Sequence, residues 1–131
     1  MISTKGRYAL RVMIDLAQNA GAVAVPLKDI AERQEISKKY LEIIVKDLVK
    51  GNLIKGSSGK GGGYKLCKKP SQYTIGEILE VTEGPFISVA CRLPGAEKCH
   101  RAASCKTLPI WTEFDSVVHN FFFSKNLSDI I

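Results

Sequence analysis

The stretch from Ser37 to Gly51, SKKYLEIIVKDLVKG, leaves little choice of local structure. Leu41, Ile44, Val45 and Leu48 recur at steps of three, one and three. They make one stripe on an α-helix and cannot all share a face of a strand. Ser37 can cap the helix by accepting a hydrogen bond from an unpaired amide of the first turn. Gly51 supplies a C-terminal stop, with Lys46 and Lys50 nearby. Upstream, Tyr8, Ala9, Val12, Met13, Leu16 and Ala17 fall at helical spacing across residues 4–18, and Asn19 to Gly21 break the pattern. Pro26 opens a second helix with Ile30 and Ala31 on its apolar face. That helix stops near Gln34, and Glu35-Ile36-Ser37 reads as a turn.

The segment LIKGSSGKGGGYKL follows. Leu53-Ile54-Lys55 and Tyr64-Lys65-Leu66 read as two short strands around a Gly/Ser/Lys-rich loop. Five glycines in the eight residues from Gly56 to Gly63 bury little but allow close backbone approach to something outside. It is not a phosphate-binding loop, because its Lys60 is followed by Gly61 and it opens no helix. Cys67, just past the second strand, is expected to be a small buried residue. Thr74-Ile75-Gly76-Glu77 fits a capping box for a helix carrying Ile78, Leu79 and Val81, which Gly84-Pro85 ends.

The last helix runs from about Thr107 to Phe123. Ile110, Trp111, Phe114, Val117, Val118, Phe121 and Phe122 give it a wide, aromatic-rich stripe. Its partner is the N-terminal helix of the same chain or the same helix of a second subunit. The second is preferred, since a small domain has limited interior to hide such a stripe.

Charge divides the chain. Residues 1–70 hold 14 Lys/Arg against 6 Asp/Glu, whereas residues 71–131 hold 5 against 7. A polyanion partner is therefore expected for the first half only. Helix, turn, helix and a glycine-rich hairpin, all basic, make a winged helix-turn-helix. The second helix would place Ser37, Lys38, Lys39, Tyr40 and Glu42 against the major groove of double-stranded DNA. Ser37 and Tyr40 can bond phosphate oxygens, and Lys28, Lys38 and Lys39 neutralise phosphates. Glu42 is useful there only by accepting a donor, for which cytosine N4 is suited; otherwise it is a solvent-exposed helix residue. The wing would present Ser58 and Lys60 to the minor groove or to phosphates.

No apolar run approaches the roughly 20 residues needed to cross a bilayer. The N-terminus interleaves Arg11 and Asp15 with its apolar residues, unlike a signal peptide. A cytoplasmic location, with reduced or metal-bound cysteines, is expected. Neither HExxH nor GxSxG occurs, and His100 and His119 lack evident Ser/Asp partners, so an enzyme is not expected.

Three of the four cysteines, Cys91, Cys99 and Cys105, lie in CRLPGAEKCHRAASC. Tight CxxC pairs, the mark of a structural zinc site, are missing. Thiolates are soft ligands for iron–sulfur clusters, and a loop with Pro94 and Gly95 can bend three of them toward one point. His100 and Glu97 are local candidates for a fourth ligand.

STKGRYALRVMIDLA, LKDIAERQEISKKYLEIIVKDLVKGNLI, GKGGGYKL and the spaced cysteine triplet, in this order, resemble the winged helix-turn-helix regulators of the IscR, NsrR and CymR type across nearly the whole chain. The resemblance implies a mainly α fold with a small β-hairpin wing and a long C-terminal dimerisation helix. It implies a homodimeric transcription regulator, with Glu42 in base readout. It makes Cys91, Cys99 and Cys105 the ligands of a cluster, 2Fe–2S ahead of 4Fe–4S. The expected division is a DNA-binding domain over 1–70, a linking helix over 71–90, a cysteine loop over 91–106, and a dimerisation helix with its tail over 107–131. Residues 1–20 are expected also to pack on the dimer helix. There are departures. Ser58 stands where the family carries a wing arginine, leaving Lys60 without the planar guanidinium fork. Leu108 stands where a histidine ligand would be. Seven residues, rather than five, separate the first two cysteines. EGPF, from Glu83, is closer to the CymR branch, which generally lacks the triplet. A cluster-free regulator controlled by a protein partner or thiol oxidation is thus the alternative, and a small electron-transfer protein the next.

Overall fold

The computed structural model describes residues 2–131. Its order is α1 (Thr4–Gln18), α2 (Leu27–Gln34), α3 (Lys38–Lys50), β1 (Ile54–Ser57), β2 (Gly63–Leu66), α4 (Ile75–Glu83) and α5 (Leu108–Phe123), with three short 3-10 turns between and after them. The architecture is the mainly α fold with a hairpin wing that the pattern predicts. No helix among the described residues is long and apolar enough to cross a membrane.

Helix α1 runs through the middle, packed on α2, α3 and α4. Ala9, Val12 and Met13 on α1 are fully buried, and they meet Ile30 of α2, Leu41, Ile44 and Leu48 of α3, and Ile78 of α4 in one core. The caps follow the sequence. Ser37 Oγ accepts from the Tyr40 amide at 3.2 Å, and Gly51 closes α3. Thr74 Oγ1 accepts from the Glu77 amide at 3.0 Å, while the Glu77 carboxylate accepts from the Thr74 amide at 3.3 Å.

The first strand starts one residue later than expected and runs on to Ser57, and the second starts one residue earlier, at Gly63. Leu53 lies between α3 and β1: after Asn52 at φ 60°, its amide donates back to the Leu48 carbonyl at 3.0 Å. The pairing is antiparallel, from Ile54 opposite Leu66 to Ser57 opposite Gly63. Val25, just before α2, adds a short third rung that the sequence pattern does not reveal. Its amide and carbonyl exchange hydrogen bonds of 2.9 and 2.8 Å with Tyr64. Gly63 makes this approach possible, since a Cβ there would lie 2.3 Å from the Val25 carbonyl oxygen. The wing is thereby fastened to the entrance of the helix-turn-helix.

The tail returns after α5. The Ile75 amide donates to Lys125 O at 2.8 Å and the Leu127 amide to Tyr73 O at 3.0 Å, and Leu127 is fully buried. Gly76 on α4 admits the Phe123 ring, which a Cβ would meet at 2.3 Å. Tyr73 is the largest fully buried side chain. Its hydroxyl donates to Leu53 O at 2.6 Å and accepts from the amides of Cys67 at 2.8 Å and Lys68 at 3.2 Å. Burial pushes the phenol pKa up, keeping it protonated as a donor. Cys67 itself is exposed, contrary to expectation: the clasp holds its backbone while the side chain faces solvent.

Tyr73→Phe removes that hydroxyl, leaving the Lys68 amide without this acceptor and the buried Leu53 carbonyl with only the long 3.5 Å bond from the Cys67 amide. A loss of roughly 1–3 kcal/mol in urea unfolding is expected at an unchanged slope. A change within a few tenths of a kcal/mol would show that water replaces the clasp.

Candidate nucleic-acid interface and cysteine loop

The placement of α3 begins with a buried acid on α1. Asp15 is 1% exposed. Its carboxylate accepts from Arg33 Nε at 3.0 Å and Arg33 Nη2 at 2.8 Å, a bidentate pair, and from Gln34 Nε2 at 3.0 Å. Arg11 on α1 completes the cluster, donating to the Gln34 side chain at 3.2 Å and to the Gln34 carbonyl oxygen. Arg33 and Gln34 are the last residues of α2, so this cluster holds the point from which the chain turns. Glu35 takes the turn in the left-handed region, at φ 54° and ψ 44°. Ser37 then starts α3.

The turn leaves Ser37, Lys38, Lys39 and Glu42 exposed at the start of α3. Tyr40 is half-buried, its ring edge-on to Tyr8 of α1 at 5.7 Å, with the Arg11 guanidinium 5.1 Å from the Tyr8 ring. Lys28 is exposed at the start of α2, and Ser58 and Lys60 are exposed in the wing. An open groove runs between the wing and the helix starts, with Lys28, Lys38, Ser57, Ser58 and Tyr64 on its walls. Residues from three separate sequence segments therefore share one surface. Lys60 does not line this groove; it sits at the tip of the wing loop, where the Gly62 amide donates to Gly59 O at 3.0 Å.

The cysteine loop is placed by a second buried acid. Asp115, 5% exposed, lies on α5. It accepts from the Ser88 amide at 2.8 Å and from Arg92 Nε at 2.7 Å, and Arg92 also donates to Thr112 Oγ1 at 3.1 Å. Burial opposes ionisation of this carboxyl, but the bonds from Arg92 and Ser88 outweigh it and hold its pKa below the ordinary value. Cys91 thus sits on a turn bolted to α5, and its side chain is exposed. At the other end, Cys105 lies three residues before the first residue of α5, with Sγ 3.5 Å from Thr107 Oγ1. The Thr107 hydroxyl, then the Thr107 and Leu108 amides, lower its pKa. Cys99 is half-exposed; His100 and Glu97 are exposed. Among the described residues, no three His, Cys, Asp or Glu side chains are arranged to hold a metal ion. The structure anchors both ends of the cysteine segment without drawing its thiols to one point.

Asp15, Arg33, Gln34 and Asp115 escape a reading by motif. A signal is present for Asp15 nonetheless, a lone carboxylate within the apolar helical run MIDLA, whereas Asp115 shares its run, WTEFDSVV, with Glu113.

Helices bounded by a groove-forming basic wing define a winged-helix DNA-binding regulator. The chain matches the family model described as an iron-dependent transcriptional regulator over residues 2–131 and belongs to that family, Rrf2. It is 34% identical over 130 residues to the transcriptional regulator IscR of Aliivibrio salmonicida, covering 99% of this chain and 76% of that protein. The structure of CymR, the global cysteine regulator of B. subtilis, superposes with a TM-score of 0.78 at 36% identity, covering 99% of this chain and 95% of that one. T. potens IscR superposes with a TM-score of 0.77 at 33% identity, covering 99% and 85%. These relatives are regulators, not enzymes.

Because the Thr107 hydroxyl is the first cause of the lowered Cys105 pKa, its removal is informative. The alkylation rate of Cys105, followed against pH by mass spectrometry, should have its midpoint below the ordinary cysteine value. In Thr107→Val the midpoint should rise. An unmoved midpoint would remove Thr107 from the account.

Proposed function

We propose that the chain is a homodimeric transcription regulator that reads a palindromic operator in double-stranded DNA and reports iron–sulfur or redox status through Cys91, Cys99 and Cys105. The observation that carries the DNA reading is the groove shared by Lys28, Lys38 and Ser58 beside the exposed first turn of α3. Lys28, Lys38, Lys39 and the wing's Lys60 lie on the basic half of the chain and would neutralise phosphates. Ser37 is committed to its cap by its oxygen yet keeps a hydroxyl proton for a phosphate. Glu42 is exposed and forms no ion pair among the described residues, which suits acceptance from a cytosine amine.

The dimer reading rests on α5. Ile110, Trp111, Phe114, Val117 and Phe121 are exposed, and Asp115 is the single buried residue of that helix. A second copy of α5 would cover this stripe and set the two recognition helices one DNA turn, about 34 Å, apart. Residues 1–70 would then bind DNA, 71–90 link, 91–106 sense and 107–131 pair.

Three thiols in one loop, one of them already biased toward thiolate, suit an iron–sulfur cluster as a donor set. A cluster held by Cys91, Cys99 and Cys105 would supply iron whose oxidation state or loss changes what the loop carries; a 2Fe–2S centre is the first choice, with His100 the candidate fourth ligand. The protein's own part is mechanical. Arg92 and Ser88 transmit the position of the Cys91 turn to Asp115, and Cys105 abuts the start of α5. A second reading, thiol oxidation without a cluster or control by a protein partner, is favoured by the unconverged thiols and by the similarity to CymR.

Fluorescence anisotropy at graded salt tests the interface. Lys38→Ala should weaken binding to every sequence and lower the slope of log affinity against log salt by about one. Glu42→Ala should chiefly erase preference, by roughly tenfold or more, between the selected operator and its cytosine-substituted variants. Equal losses on all sequences would deny Glu42 a reading role, and no DNA binding at low salt would end the proposal. For the loop, protein purified without oxygen should absorb in the visible range and Cys91→Ala should lose that absorbance. Colourless wild-type protein would leave the thiol-oxidation reading.

A further inference from the structure

The recognition helix carries an apolar residue where its neighbours are charged. Ile43 is 51% exposed, whereas Ile44 beside it is fully buried. It is the sixth residue of α3 and falls on the outward face with Lys39, Glu42 and Lys46, all exposed. Scattered surface isoleucines are common. This one differs in its place: it stands in the middle of the face that, on the function proposed above, is presented to the major groove. The only apolar group that duplex DNA offers there is the thymine C5 methyl.

We infer that Ile43 reads a thymine in each half-site through apolar contact with its methyl group, alongside the cytosine amine accepted by Glu42. This rests on the DNA-binding reading. The two adjacent side chains would make complementary choices between pyrimidines. A carboxylate favours the base with an exocyclic amine, and a branched alkyl group favours the base with a methyl. The β-branch helps, because isoleucine in a helix is nearly confined to one χ1 rotamer. Little side-chain entropy is lost when its surface meets the methyl. An isoleucine also has no donor or acceptor for the other base edges, so cytosine at that position would leave it against a polar amine.

The test uses the full chain and a duplex selected from a random-sequence pool. Deoxyuridine replaces thymine at one position at a time in the selected half-site, removing the methyl and nothing else. With wild-type protein, one position should lose affinity about three- to fivefold, the effect of one buried methyl. In Ile43→Ala the thymine and deoxyuridine duplexes should bind equally, while Ile43→Val should keep part of the difference. Selected DNA with no methyl-sensitive position overturns the inference and leaves DNA recognition standing. So does Ile43→Ala with the full methyl dependence. A pool that is bound without any preferred sequence also overturns the inference, and a pool from which nothing binds at low salt overturns the DNA-binding reading itself. The deoxyuridine series on wild-type protein needs no variant to fold.

Discussion

The ion pair between Asp15 and Arg33 fixes the end of α2, the point from which the chain turns into α3. A carboxylate removed from water is costly unless its oxygens are filled. Here a guanidinium fills them bidentately and a carboxamide adds a third bond. Arg33 keeps 40% of its side chain in water, so only one partner is fully desolvated. The geometry matters more than the strength. Both partners of Asp15 are the terminal residues of α2, and the next residue is the left-handed Glu35. A shift of α2's end would rotate the Ser37 cap and every exposed residue that follows it.

The same device appears again at the cysteine loop. Asp115 on α5 takes a guanidinium nitrogen and a backbone amide from the 88–92 turn, just as Asp15 takes its bonds from the end of α2. At the end of α2 the bond acts together with the burial of Ile30 and Ile36, whereas the 88–92 turn has no buried side chain to position it. Helical segments with a full stripe, such as α3, are held chiefly by Leu41, Ile44 and Leu48 in the core, with one partly exposed ion pair from Asp47 to Lys5. The molecule therefore uses two kinds of fastening: apolar packing for long elements and buried carboxylates for the turns that carry exposed chemistry.

This division explains what was legible beforehand. Helix spans, the Ser37 and Thr74 caps and the Gly51 and Gly84 stops follow from local periodicity and local hydrogen bonding, and the structure agrees with them. Lys28, Lys38 and Ser58 could each be picked out by type, but their meeting on one groove depends on the Val25–Tyr64 rung, which joins residues far apart in sequence. The Tyr73 clasp is likewise non-local, and it inverts the expectation for Cys67 by pinning the backbone and freeing the side chain. The thiol loop was legible only as a set of donors. Its spacing contains no information on the Arg92–Asp115 bond that places it.

An unbroken series of contacts joins the cysteine loop to the reading helix. Arg92 and Ser88 bind Asp115; α5 rests on α4 through Phe123 and Gly76; α4 packs on α1; and α1 holds the end of α2 through Asp15. Contact by itself does not establish coupling. Along α5 the two attachments are separate: the Phe86–Phe122 stack at 5.0 Å and the returning tail hold its C-terminal end, and Asp115 and Thr112 hold the loop, while Ile110, Trp111, Phe114, Val117 and Phe121 stay exposed along its length. In the proposed dimer the partner would cover that exposed stripe beside the sensor loop. A change at the thiols would then act first on subunit pairing, with α4 and α1 keeping each DNA-binding unit rigid. The spacing of two intact reading heads, rather than the shape of either, would be the quantity that the loop controls.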